Sequence, residues 1–308
     1  MSPRPSTFSI VARDPATDAV GIAVQSKFVS VGAVVPFAAA DAGAVATQSY
    51  ANVAYGPDGL ELLRDGKDAQ TVVEELTETD EEAPSRQVGI VGQDGSVAAF
   101  TGEDCLDFAG DRQGEHYTVQ GNILEGPETL DAMATAYEES DGGLPDRLLE
   151  ALHAGNEAGG DRRGEQAASL YVAKPEGGYD GKNDRWIDVR VDDHESPIEE
   201  LERVFRIYDV TLLERAEPDD LRELSGKTAE SVTRTLADLG HFDGTPTATF
   251  GEEEREALEE FRGVNNFENH SLALIEDAIA RGWADASGVG TDRLVNAIWQ
   301  GLSRLERA

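Results

Sequence analysis

Apolar runs of strand length, parted by turn residues, fill the opening of the chain. Thr7–Asp14 (TFSIVARD) and Ala19–Ser26 (AVGIAVQS) are separated by Pro15-Ala16-Thr17-Asp18, a turn composition. Val31–Ala40 and Ala44–Ser49 follow, parted by Asp41-Ala42-Gly43. These four runs are rich in Val, Ile and Ala and predict buried or half-buried strands. Pro57–Asp65, with Leu60, Leu62 and Leu63, and Ala69–Thr77, with Val72, Val73 and Leu76, predict two helices. The strand pattern returns at Gln87–Gly92 and Ser96–Thr101, joined through Gln93-Asp94-Gly95 as a hairpin, and again at Tyr117–Asn122. A second helix pair is predicted at Pro127–Glu139 and Leu144–Ala154, the first opening on a favourable Pro. Strands at Ala167–Ala173 and Trp186–Val191 and an amphipathic helix at Ser196–Tyr208 complete this part.

The order is strands, paired helices, strands, paired helices, strands. Two sheets with helices outside both satisfy it, and periodicity alone does not separate that from a three-layer α/β fold. Beyond about Glu214 helical patterns dominate: Ala229–Leu239, Glu252–Arg262, Ser271–Arg281 and Thr291–Leu305. The expected organisation is one domain over residues 7–214 and a small helical domain over 215–308, with the boundary near Pro218.

Composition narrows the picture. At 308 residues the chain has room for two domains, and 39% apolar residues suffice for real cores. The longest apolar stretch, around Val31–Ala40, is broken by Pro36 and too short to span a bilayer. Met1–Ser6 lacks the apolar segment of a secretion signal, so the cytoplasm is the expected compartment and no membrane partner is expected. A single cysteine, Cys105, excludes an intramolecular disulfide and a thiolate zinc cluster. Asp and Glu total 61 against 26 Lys and Arg, a net charge of -35, where small domains carry about 2–8. Such an excess repels itself at low salt and is screened at molar salt, so a high-salt cytoplasm of haloarchaeal type is expected. The acids are spread along the chain and form no acidic tail. Nucleic-acid binding is not expected, because no basic footprint is visible.

The opening Thr7-Phe8-Ser9-Ile10-Val11-Ala12-Arg13-Asp14 and Gly21–Phe28 resemble a family without assigned function that has an N-terminal-nucleophile (Ntn) hydrolase-like fold. Gly43–Gln48, Ala51-Asn52, Tyr55-Gly56-Pro57, Arg86–Gly89, Tyr117–Asn122, Gly159–Gly164 and Val189–His194 carry the same resemblance, which covers roughly 7–208. It implies an α+β chain: a four-layer αββα sandwich followed by a small all-α domain, and an amide or ester hydrolase without a named substrate.

In such hydrolases the nucleophile is the side chain of the first residue of the mature chain, and its own α-amine is the base. An α-amine titrates at about 7.7–8.0 and is partly neutral at neutral pH. Thr7, polar and at the head of the first strand, suits this role, and the resemblance also places a threonine here. Six residues precede it, however, so its nitrogen is a peptide amide unless Ser6–Thr7 is cleaved or the start lies downstream. The other reading is a β-branched residue at a strand start.

Lys27, rare in a lysine-poor chain, either stabilises a developing oxyanion or ends a strand at the surface. Ser26, its neighbour, alternates to the opposite face, so only one of the two easily faces a site. Asn52 and Asn122 are oxyanion-donor candidates, or routine turn residues. Gln48 and Gln120 stand in apolar runs, where they orient a substrate or satisfy buried backbone groups. Asp161, Arg162 and Arg163 form a binding loop for a substrate carboxylate or an ordered structural loop.

The five histidines show no metal spacing, and neither a nucleophile elbow nor a dinucleotide fingerprint occurs in its required context, so no metal and no cofactor are expected. Leu236–Gly244, Phe250-Gly251 and Ala257–Phe261 resemble a peptidoglycan-binding-type three-helix module, with a dimerisation or lid domain as the other reading. Trp283 and Trp299 are expected in its core, with a stacking surface as the alternative. The expected function is hydrolysis of a small-molecule amide by Thr7. The alternatives are a non-catalytic scaffold that binds a small ligand or polymer and a metal-assisted hydrolase. A homodimer is expected only from the frequency of such assemblies.

Overall fold

The computed structural model describes residues 7–308. Ten strands and nine α-helices follow one another within them. They are β1 (Thr7–Asp14), β2 (Ala19–Ser26), β3 (Pro36–Ala39), β4 (Gly43–Ser49), α1 (Tyr55–Arg64), α2 (Ala69–Glu78), β5 (Arg86–Gly92), β6 (Val97–Thr101), β7 (Gly110–Gly114) and β8 (Tyr117–Asn122). Then come α3 (Glu128–Glu139), α4 (Leu144–Glu157), β9 (Ala167–Ala173), β10 (Arg185–Val191), α5 (Pro197–Leu212), α6 (Gly226–Asp238), α7 (Glu252–Val264), α8 (Leu272–Gly282) and α9 (Gly290–Leu302). The chain is therefore mixed α and β, with a helical C-terminal region. By packing it divides into a unit ending at Glu202 and a unit Arg203–Ala308, with α5 running through the division.

The N-terminal unit contains two antiparallel sheets. The larger has the order β10-β9-β2-β1-β8-β7 and the smaller β3-β4-β5-β6. The first strand is thus internal to its sheet, paired with β2 along its whole length and with β8 over Thr7–Ala12. Alternation along β1 sends Phe8 and Ile10 to one face and Thr7, Ser9 and Val11 to the other. Val11, Ile22, Val24, Ala44, Ala46 and Val91 form a shared apolar core, which places these faces of the two sheets against each other. On its outer face the smaller sheet packs Val45, Val88 and Ile90 against Leu60, Leu63, Val72 and Leu76 of α1 and α2. The larger sheet carries α3 and α4 on its outer face; a Cβ on Gly155 of α4 would lie 2.6 Å from Met133 of α3 and 3.4 Å from Phe8.

Two segments differ from the sequence expectation. Val31–Ala40 is not one strand: Val31–Ala33 is a 3₁₀ turn and only Pro36–Ala39 pairs. Ser30, at φ 56°, turns the chain before it, and Thr47 N–H donates to Val35 O at 3.1 Å. The apolar run is buried as a turn packed on β4. The other is β7 (GDRQG), which lacks an apolar period and forms because it lies at the sheet edge, where only one side needs a partner.

In the C-terminal unit, α6 to α9 enclose Val232, Leu236, Leu258, Phe261, Ile275, Ile279, Ile298 and Leu302. α8 and α9 approach so closely that a Cβ on Gly301 would lie 1.7 Å from the Ala278 carbonyl oxygen. Trp283 belongs to this core and Trp299 packs against it. Buried Asp209 binds both Arg215 and Arg307, and an isolated bridge pairs Arg215 with Arg307. No helix among the described residues is long and apolar enough to cross a membrane.

Candidate functional site

The antiparallel register assembles the site. Thr7 stands directly opposite Ser26 of β2 on one side and Asn122 of β8 on the other. Opposed residues share a face, so the three form one row at the end of the intersheet layer. All three are buried. The hydroxyls of Thr7 and Ser26 lie 3.1 Å apart.

One step along the strands, Ser9 stands opposite Gln120. Ser9 Oγ donates to Gln48 Oε1 at 2.6 Å and accepts from Gln120 Nε2. Gln48 Nε2 in turn donates to Gln87 Oε1 at 2.8 Å and reaches the Thr7 carbonyl at 3.4 Å. Asn122 Nδ2 donates to the same Gln87 oxygen at 2.9 Å, while Gln87 Nε2 donates to Gly121 O at 2.8 Å and to Thr101 Oγ1 at 2.9 Å. Pairing stabilises these buried amides, since an orphaned donor or acceptor costs about 1–3 kcal/mol. At this end a hydrogen-bonded network of amides and hydroxyls thus joins the sheets, continuous with the valine and alanine core. Gly89 makes room for it: a Cβ there would lie 2.1 Å from Gln120 Oε1.

A pocket of about 210 Å³ adjoins Thr7. Its polar lining is Thr7, Gln48, Ser49, Tyr50 and Arg86; its apolar lining is Phe28, Val31, Val34, Val35 and Ala51. The Arg86 guanidinium donates to Asp80 Oδ2 at 3.0 Å, Glu82 Oε2 at 2.6 Å and Tyr50 O at 2.7 Å. Arg86 holds the Asp80 carboxyl well below the ordinary carboxylate range. Burial, together with Asp80, pushes the Tyr55 hydroxyl above its usual value. The Cys105 thiol, raised by burial, donates to Arg86 O at 3.3 Å.

Residues 7–201 match the model described as "Family of unknown function (DUF1028)". The chain belongs to the DUF1028 family. The crystal structure of a Silicibacter pomeroyi protein carrying the same family model superposes with a TM-score of 0.61 at 31% identity, over 66% of this chain and 89% of that one. Residues 211–299 match a model described as "Putative peptidoglycan binding domain", so the C-terminal region is similar to such domains. No curated protein matches significantly.

Within this DUF1028 chain the expected site residues separate into groups. Thr7, Ser26, Gln48, Gln120 and Asn122 come together. Lys27 does not join them by any side-chain contact: it is exposed, and its ammonium donates to the Glu165 carbonyl at 2.7 Å. Of the neighbouring pair, Ser26 is the one turned towards Thr7. Asn52 lies at the start of α1, where Nδ2 donates to Asp80 Oδ2 at 3.1 Å and Oδ1 accepts from Ala54 N–H at 3.2 Å. It lines a different, acidic pocket with Asp58 and Glu61.

Asp161 is buried and ordered by Arg163, which donates to it through its backbone and guanidinium. Its Oδ2 also accepts from Lys27 N–H at 2.9 Å, and Arg162 N–H donates to Ile123 O at 3.1 Å. The 159–164 loop thereby holds the residues that follow Ser26 and Asn122, the two neighbours of Thr7. The Arg162 side chain is exposed. Sequence reasoning missed Ser9 and Gln87. Both were visible as polar residues at period two from Thr7 and beside Val88. The Ser6–Thr7 bond extends beyond the described residues. Among the described residues no group of three or more His, Cys, Asp or Glu could hold a metal ion.

Proposed function

We propose that this DUF1028 protein is an Ntn-type hydrolase of a small amide, with Thr7 as nucleophile once its amine is freed. The supporting observation is the placement of Thr7: first residue of an internal strand, between two sheets, buried beside a small pocket and within 3.1 Å of a second hydroxyl. The layer order of α1 and α2, smaller sheet, larger sheet, α3 and α4 supports assignment to the αββα sandwich of that class.

In the proposed reaction Thr7 Oγ1 attacks the amide carbonyl and gives its proton to the Thr7 amine. The C–N bond breaks and the amine leaves with that proton. Water then hydrolyses the Thr7 ester, releasing the acid and restoring the hydroxyl. Ser26 Oγ shares a hydrogen bond with the nucleophile and orients it. The Asn122 amide, held by Gln87 and paired in register with Thr7, is the side-chain candidate for donation to the developing oxyanion.

One fact favours the rival, a non-catalytic ligand-binding scaffold: Ser6 precedes Thr7, so the nitrogen of the unprocessed chain is an amide and no base. Turnover of an amide panel by the processed protein and by its Thr7→Ala and Thr7→Ser variants separates the two. Hydrolysis is expected to fall at least about 10³-fold in Thr7→Ala and to survive in part in Thr7→Ser. Equal rates in wild type and Thr7→Ala would remove Thr7 from the chemistry.

The acidic composition supports a high-salt cytoplasm as the protein's setting. The C-terminal unit is proposed to bind a polymer, on its similarity to putative peptidoglycan binding domains.

A further inference from the structure

The pocket beside Thr7 has both polar and apolar lining, and its 3₁₀ wall is held in place. Val31 and Val35 are buried, and Val35 N–H donates to Val31 O at 3.1 Å. Ser30 N–H is tied to Asp192 O at 2.9 Å and Thr47 N–H to Val35 O at 3.1 Å, so the 3₁₀ turn is held from both sides. At about 210 Å³ the space is below the roughly 300–1,000 Å³ of pockets for drug-sized ligands. The space suits a small acyl group rather than a drug-sized one.

Charge selects further. Among the described residues Arg86 is the one cationic residue in the lining, and it already serves Asp80, Glu82 and the Tyr50 carbonyl. Its N–H groups are therefore already paired, with Asp80, Glu82 and a backbone carbonyl. A carboxylate on the substrate's acyl part would be desolvated beside a guanidinium that is already paired. The surroundings are apolar as well: Phe28, Val29, Tyr50 and Val53 are 37–50% exposed and lie on the two segments that line the pocket.

We infer that this pocket takes a short, uncharged aliphatic acyl group, so that the substrates are amides of small apolar acids and Val31, Val34 and Val35 set the selection. This rests on Thr7 being the nucleophile. The polar lining at Thr7, Gln48 and Ser49 receives the carbonyl; the valines receive the alkyl chain; the apolar rim meets the rest of the substrate.

The test uses para-nitroanilides of acetic, isovaleric and succinic acids with protein whose N-terminus is Thr7. The isovaleryl compound is expected to exceed the succinyl one in kcat/KM by at least about 100-fold. Val34→Asp, at a half-buried wall position, is expected to lower the isovaleryl-to-succinyl ratio of kcat/KM at least about 10-fold. A succinyl preference, or a flat acyl profile, overturns the inference and leaves Thr7 as nucleophile intact. Binding of isovaleramide and of succinamate to Thr7→Ala is measured in parallel by NMR. Selective isovaleramide binding without wild-type turnover keeps the pocket's chemistry and removes the nucleophile. Failure to bind or cleave any of the probes overturns both. A dimer broken by Val29→Asp with an unchanged KM would assign the rim to a second copy instead.

Discussion

Ser9 is polar, wholly buried and two residues from Thr7, and its hydroxyl is used twice, as donor to Gln48 and acceptor from Gln120. That arrangement depends on an absent atom. With any side chain at Gly89, Gln120 would be displaced, since a Cβ would meet its amide at 2.1 Å. Gly89→Ala is therefore expected to destabilise the protein by about 1–3 kcal/mol, through overpacking and the loss of amide partners. Urea unfolding measures it, and an unchanged midpoint would show that the network tolerates the methyl. At this scale much of the candidate site was legible in the sequence. Thr7, Gln48, Gln120 and Asn122 stand out because each is polar within an apolar run. Lys27 and Asn52 lie apart from this cluster, because rarity and position near a turn say nothing about direction: Lys27 reaches the Glu165 carbonyl, and Asn52 binds Asp80 and the Ala54 N–H.

At the scale of elements, period-two and period-3.6 patterns carry most strands and helices, and the exceptions have physical causes. β7 is polar and pairs only at an edge. The apolar run 31–40 reads as a strand, but Ser30 in the left-handed region and Pro36 without an N–H divide it, and its first half becomes the pocket wall. Long-range register is the part that composition does not encode. That β1 pairs with β8 across more than a hundred residues is what brings Asn122 to Thr7. In the helical unit, Gly301 lets α9 lie on α8. Alanine is worth about 1 kcal/mol over glycine inside a helix, but its Cβ would fall 1.7 Å from backbone oxygen, which neither helix can yield. Gly301→Ala is thus expected to destabilise this unit by about 2 kcal/mol or more, seen as an earlier thermal transition. A later transition would mean that helix propensity outweighs the contact.

For the whole molecule the dominant quantity is charge. With -35 on 308 residues, self-repulsion grows as the Debye length lengthens from about 3 Å at molar salt to about 10 Å at 0.1 M. The melting temperature is expected to fall by several degrees or more over that change, and a flat profile would contradict the salt-adapted reading. The same molecule joins a region matching a family of unknown function to a region similar to peptidoglycan binding domains. The proposed chemistry turns on one covalent question, whether Thr7 carries a free amine. The most direct measurement is the intact mass and N-terminal sequence of the protein purified from its native host in high salt. The proposed mechanism predicts a chain that begins at Thr7. A mature chain that retains Met1 or Ser2 would leave Thr7 without its base and contradict that mechanism.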